Sequence, residues 1–351
     1  MGILAIQEFR MKKSSDYRAV IHSFLVRAGI LLLPIFFWCS LLQVPFCRAE
    51  PAIIYVGEVE GNTYSQLLRS GMQEFEKSSG TGFIEIETPI DVSGYVPALL
   101  DSVRQKYSPV ILPYSDKFSD ISEIIDKNQD IKFILLDHGD VDKPNVFAFS
   151  FADHEGSFMA GALAAMMTKS KVVGFIYVSD TYDVLQRFRS GYLQGCQAAD
   201  PEVKVLQTSL GDYPGVWGDQ AKAGRLAEEM IAKGADVLFA AAGLAGKGVL
   251  AKAAEKNIYA IGVDGNQNDL YPGTMIGSMV KRVDKAVFAA LKLSSAGINR
   301  DGLKRLGIAQ EAVGIDFAGV KKGLVPEEVR KRLYELRMEI SSGKRKVKEQ
   351  L

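Results

Sequence analysis

Ala52-Ile53-Ile54-Tyr55-Val56 is an unbroken apolar run. After a short polar gap, residues 64–78 place Leu67, Leu68, Gly71, Met72 and Phe75 at helical spacing. A run apolar at every position predicts a strand covered on both faces, which is the habit of parallel sheets. Working outward, strands are expected at 83–87, 110–112, 133–136 and 146–149, with helices at 96–107 and 121–127 between them. A second series follows Phe151: helix 154–168, strand 172–177, helix 182–199, strand 203–208, helix 217–233, strand 237–241, helix 246–256, and strands 258–263 and 274–280. Strands alternating with longer amphipathic helices build βαβ units. Two such series of similar length predict an α/β chain with two doubly wound domains. The Lys-rich tail 341–351 is expected to fray.

Ligands of open α/β sheets sit beyond the carboxyl ends of the strands, so the residues there are the first site candidates. They are Asp137 after strand 133–136, Ala242-Gly243 after 237–241, and Asp264 after 258–263. A carboxylate can accept from two hydroxyls at once, which suits a sugar. Each Asp read alone is equally a helix cap or a turn residue. Two at matching ends of the two series favour a site.

Composition narrows the function. Of 42 basic and 42 acidic side chains, six and two fall within residues 1–49, leaving 36 and 40, a net of −4. An acidic body gives nucleic acid no basic face. Gly243 to Gly248 carries Lys247 but lacks P-loop spacing, and neither His138 nor His154 has a partner at metal-ligand spacing. His138 follows Asp137 and reads as a surface histidine. No catalytic residue, metal or cofactor is expected. After Ala49 only Cys196 remains, so no internal disulfide can form.

The first 49 residues read as a signal peptide. Basic residues lead into an apolar run at 28–46, and Cys47-Arg48-Ala49 offers a cleavage site before Glu50. Two alternatives stay open: an uncleaved anchor, and lipidation at Cys47, where Val44 suits a lipobox and Phe46 does not. Met11 is an alternative start. The protein is therefore expected to be exported, either periplasmic or membrane-anchored.

Several motifs then fall in order. Phe151-Ala-Asp-His-Glu155-Gly-Ser-Phe-Met-Ala-Gly161 follows Pro144-Asn145-Val146. Phe188, Gly191 and Gly195 form F-x-x-G-x-x-x-G. Ala241-Ala242-Gly243 to Gly248 is a Gly-rich turn, and Gly262-Val263-Asp264-Gly-Asn-Gln267 precedes Ser278-Met279-Val280-Lys281-Arg282-Val283-Asp284. From about residue 52 to 320 the chain resembles the basic membrane protein family, exported and often lipidated solute-binding proteins with nucleoside specificity.

The resemblance implies a type I periplasmic-binding-protein fold, two Rossmann-like lobes with a ligand cleft and three crossovers. The lobes would comprise 50–152 with about 283–305, and 153–282 with about 306–340. It implies a monomer that binds a nucleoside, purine by preference, and delivers it to an ABC permease. In such receptors the base stacks between aromatic rings, and carboxylates and a lysine hold the ribose. Carried over, Asp264 and Lys281 hold the sugar, Asp137 adds a polar contact, Gly243 a backbone contact, and Trp217 a stacking face where the family has Phe. The family's D-K-S-F-N-Q becomes Gly61-Asn62-Thr63-Tyr64-Ser65-Gln66, keeping Tyr64 and Gln66 as candidates. The less favoured alternative makes Tyr64 and Trp217 core aromatics and pairs Lys281 with Asp284 on a surface. A free sugar or other small molecule as ligand, a surface antigen or adhesin role, and a nucleoside hydrolase are the competing functions.

Overall fold

A computed structural model describes residues 49–113, 118–138, 141–297 and 304–351. The leader, with Met11 and Cys47, lies outside these residues. No helix among the described residues is long and apolar enough to cross a membrane.

The first sheet takes β1 (Ala52–Val56), β2 (Ile84–Thr88), β3 (Val110–Leu112), β4 (Phe133–Leu136) and β5 (Val146–Phe151), and gains β11 (Lys304–Leu306) much later. The second takes β6 (Val172–Tyr177), β7 (Lys204–Ser209), β8 (Val237–Ala241), β9 (Tyr259–Asp264) and β10 (Met275–Lys281), and gains β12 (Val313–Asp316). Their orders are β11-β5-β4-β3-β1-β2 and β12-β10-β9-β8-β6-β7, the same arrangement displaced by five strands apart from the late edge strand of each. Pairing is parallel except between β12 and β10. In each sheet the order reverses at the first strand, β1 or β6, which makes a switch point where ligands gather.

Helices α1 (Thr63–Ser79), α2 (Tyr95–Arg104), α3 (Phe118–Lys127), α4 (Asp153–Met167), α5 (Asp183–Ala199), α6 (Gln220–Ala232), α7 (Gly246–Glu255), α8 (Val283–Ser295) and α9 (Glu327–Ser341) connect and cover the strands. The expected strands and helices fall within a few residues of these. Helix 217–233 begins later than expected. A single 3-10 turn spans Val216–Gly218, and the Asp219 carboxylate accepts from Lys222 N at 2.8 Å to cap α6. The chain passes from the first sheet to the second after Phe151, returns after Lys281, where α8 packs on α1, and crosses again after Leu306.

Helix α4 is buried on nearly every side, as an Ala- and Gly-rich helix with apolar residues all round should be. It lies so close to α5 that a Cβ on Gly191 would meet the carbonyl oxygen of His154, one on Gly195 that of Phe158, and one on Gly161 that of Tyr192. The F-x-x-G-x-x-x-G spacing is thus a packing stripe. Cys196 sits at the same seam, where its Sγ donates to Gly161 O at 3.3 Å and burial pushes the thiol up to about 12.

The tail does not fray. Lys348 O accepts from Ser190 Oγ and Gln194 Nε2 at 2.8 Å each, Lys348 N donates to Gln194 Oε1 at 2.9 Å, and Glu349 pairs with Arg305. Val347 packs on the core, and the Arg345 guanidinium lies 5.6 Å from the Phe158 ring centre. Backbone hydrogen bonds and one apolar anchor outweigh the solvation expected of a Lys-rich segment.

Candidate functional site

The chain leaves β4 through Asp137 at φ 61° and ends β9 at Asp264 with φ 67°. These strands hold the same place in the two sheets. A left-handed backbone is uncommon outside glycine, and Asp is among the few residues that tolerate it. The conformation turns the chain sharply at the strand end and brings both carboxylates to a cavity of about 330 Å³. That volume falls at the small-molecule end of the range for ligand sites. The strands, helices and loops around the first sheet contribute Val56, Tyr64, Ile90 and Asp137 to its walls, those around the second Tyr182, Trp217, Gly243, Asp264 and Lys281.

Lys281, the last residue of β10, is only 2% exposed. Its Nζ lies 2.7 Å from Asp137 Oδ2 and 3.1 Å from Asp153 Oδ1, the latter without hydrogen-bond alignment. The ammonium also lies over the rings of Phe151 at 4.9 Å and Tyr64 at 5.8 Å. Asp153, in the first turn of α4, accepts through Oδ2 from Arg187 Nε and Nη2 at 3.3 Å each. Tyr64 OH donates to Asp137 Oδ2 at 3.0 Å, while Asp137 Oδ1 is buried with no hydrogen-bond partner among the described residues.

Three carboxylates therefore share two cations. Burial opposes the charge on Lys281, but Asp137, Asp153 and Asp264 outweigh it and raise the ammonium's pKa. Among the described residues Asp264 has no ion-pair partner, since Lys281 goes to Asp137 and Asp153. Asp264 is partly buried in the cavity wall, and burial pushes it up to about 6, against the pull of Lys281 and with the push of Asp137 and Asp153. Desolvation also carries the Tyr64 hydroxyl well above its ordinary value, helped by Asp137.

The remaining wall is aromatic. Trp217 meets Tyr182 edge to face, with centroids 5.3 Å apart at 62°. Gly243, at φ 53°, passes close beneath; a Cβ there would stand 3.1 Å from Trp217 Cε3. Tyr213 OH donates to Asp219 Oδ2 at 2.8 Å, fixing the loop that carries Trp217 to the capped start of α6.

Six expected residues thus meet at one cavity: Tyr64, Asp137, Trp217, Gly243, Asp264 and Lys281. Gln66 does not. Two positions beyond Tyr64 on α1 is about 200° around the helix, and there its exposed amide reaches Glu60 Oε1 at 3.4 Å. His138 is not on the surface but 5% exposed, and desolvation lowers its pKa to about 4. Asp284 pairs with Arg282 at 2.7 and 2.9 Å and leaves Lys281 to the interior. Sequence reasoning missed Asp153 and Arg187. One signal was available: Arg187, Gly191 and Gly195 are four apart, so Arg187 lies on the glycine stripe and must find a buried anion. Among the described residues no cluster of His, Cys, Asp or Glu could hold a metal ion.

The profile of a family described as "ABC transporter substrate-binding protein PnrA-like" matches residues 50–350. The chain is 28% identical over 318 residues to a CD4+ T-cell-stimulating antigen of Listeria monocytogenes, covering 84% of this chain and 86% of the relative. It is 29% identical over 226 residues to the ABC transporter nucleoside-binding protein BmpA of Lactococcus lactis, covering 60% and 62%. Among solved structures, an ABC transporter solute-binding protein of Aeropyrum pernix superposes with a TM-score of 0.72 at 22% identity, over 85% of this chain and 92% of that one. This neighbour has the type I fold seen here, two parallel-dominated sheets with a cleft between them.

Proposed function

We propose that this chain, which belongs to the Bmp family of PnrA-like ABC transporter substrate-binding proteins, binds a nucleoside in its cleft and delivers it to a membrane permease. The observation that carries the reading is the meeting of two strand-end carboxylates and Lys281 with an aromatic wall in one small cavity. Asp137 and Asp264 offer acceptors to ribose hydroxyls, and the lysine fixes one of them in place. Trp217 and Tyr182 offer faces to a base, where stacking in nucleic-acid complexes contributes about 1–3 kcal/mol per base. The relative named as nucleoside-binding supports the same choice of ligand. Binding without turnover, export ahead of residue 50, and a monomer of two lobes (50–152 with about 283–305, and 153–282 with about 306–340) belong to the same proposal. Calorimetry with adenosine, guanosine, inosine, uridine and free ribose tests it on protein stripped of bound ligand. Heat from nucleosides supports it; heat from ribose alone, or none at all, overturns it.

Asp264→Ala is expected to weaken nucleoside binding at least tenfold, since a hydrogen bond to a charged group is worth about 1.5–3 kcal/mol. Stability should move the other way. Asp264 titrates at about 6 in the fold, against 3.8 for an ordinary carboxyl. The folded state therefore holds the extra proton, and stability falls as pH climbs from about 4 to about 6. Asp264→Asn removes that penalty, so it should exceed the wild type by on the order of 2 kcal/mol at pH 7.5 and match it near pH 4. Urea unfolding at the two pH values checks the sign.

A further inference from the structure

We propose that Thr63 and Gln267 form a latch between the lobes, setting how long a bound solute is retained without touching it. This rests on the reading that the cleft closes on a solute. Thr63 opens α1 beside the first sheet, and Gln267 follows β9 in the second. Gln267 Nε2 donates to Thr63 Oγ1 at 3.0 Å. The amide is aimed from its own lobe. Its Oε1 accepts from Val263 N and its backbone N–H donates to Ser278 Oγ, both at 3.0 Å, so the NH2 is left facing the opposite lobe.

The surfaces fit closely at this point. A Cβ on Gly265 would stand 2.6 Å from Thr63 Cγ2 and 3.2 Å from Leu67 Cδ1, and its nearest neighbours all belong to the other lobe. Gly265 is not in the left-handed region, so alanine suits its backbone and collides only when the lobes are together. Thr63 and Gln267 line a small adjoining pocket behind Tyr64, Gly243 and Asp264, while none of Thr63, Gly265 and Gln267 lines the main cavity that would take the solute. A contact present only in the closed state shifts the open–closed balance, and through it the apparent affinity, by its own differential free energy.

The test compares Thr63→Val, which keeps the shape and removes the acceptor, with Thr63→Ser, which keeps the hydroxyl, and with Gly265→Ala. Lobe separation is read by pulsed electron paramagnetic resonance on ligand-stripped protein carrying spin labels at Ser70→Cys and Ala251→Cys, both exposed positions. Adenosine dissociation is followed by stopped flow. Thr63→Val should populate longer distances and dissociate about three- to tenfold faster, in keeping with loss of one hydrogen bond. Gly265→Ala should do so more strongly, Thr63→Ser should match the wild type, and thermal midpoints should stay unchanged. Wild-type distances and rates in both Thr63→Val and Gly265→Ala overturn the latch, as does a distance shift with no change in dissociation. If no nucleoside binds, the transport reading fails while the distances still decide whether the contact holds the lobes. Should Gly265→Ala not fold, the valine and serine pair decides.

Discussion

Lys281→Met should lower unfolding stability by about 3–5 kcal/mol at neutral pH, the range for breaking a buried ion pair by removing one partner, and abolish nucleoside binding. The lysine is the cation that Asp137 and Asp153 share, and those carboxylates are only 6% and 0% exposed. Without it the Arg187 guanidinium hydrogen-bonds Asp153 and not Asp137, and Asp137 keeps, among the described residues, only the Tyr64 hydroxyl. A loss of this size is a large part of the 5–15 kcal/mol typical of a folded domain. The pH dependence identifies the cause. A carboxylate stranded in the interior takes up a proton more readily in the folded state than in the unfolded chain. The variant should therefore recover relative to the wild type as pH falls from 7.5 to 5. Urea midpoints at both values check this; a gap that widens with acid would point to lost packing instead. Lys281→Arg keeps the charge but not the compact ammonium that fits between two carboxylates and two rings, so it should restore stability better than affinity.

Gly195→Val should cost at least about 4 kcal/mol, in the tail of single-substitution effects, and leave little folded protein. The obstacle is backbone: the new side chain would have to occupy the space of the Phe158 carbonyl, which no rotamer change can vacate. Forcing α4 from α5 also parts Asp153 from Arg187, because that ion pair crosses the same seam. Packing and electrostatics thus fail together. Circular dichroism and the urea midpoint measure the effect, with exposed Ser70→Val as a control. Wild-type stability in Gly195→Val would show that the helices can separate freely.

Much of this was legible because parallel strands are apolar at every position, and such runs announce themselves. Asp137 and Asp264 were found by their place at strand ends, before any resemblance was invoked. Gln66 was misplaced because a motif carries residue identities but not helical phase. Asp153 and Arg187 were hidden for a different reason. Each looks like an ordinary helix residue, and only the meeting of α4 and α5 shows that they need each other. β11, β12, α8 and α9 had no individual expectation: β11 is Lys-Arg-Leu, too short and polar to read as a strand. The tail misled because composition reports solvation, whereas its place is decided by the backbone groups that Ser190 and Gln194 present to it.

The late arrival of β11 and β12 governs the order of events at synthesis. β5 ends at Phe151, and the strand that closes its edge begins at Lys304. At ribosomal rates of about 5–20 residues per second, the first half waits roughly 8–30 seconds with that edge unpaired. β10 likewise waits for β12, which begins at Val313. An open edge is a template for another chain, so the nascent polypeptide passes through a window in which pairing with a neighbour competes with completion. Interlaced connectivity makes the two halves finish almost together, and neither can be released as a separate folded body partway through synthesis.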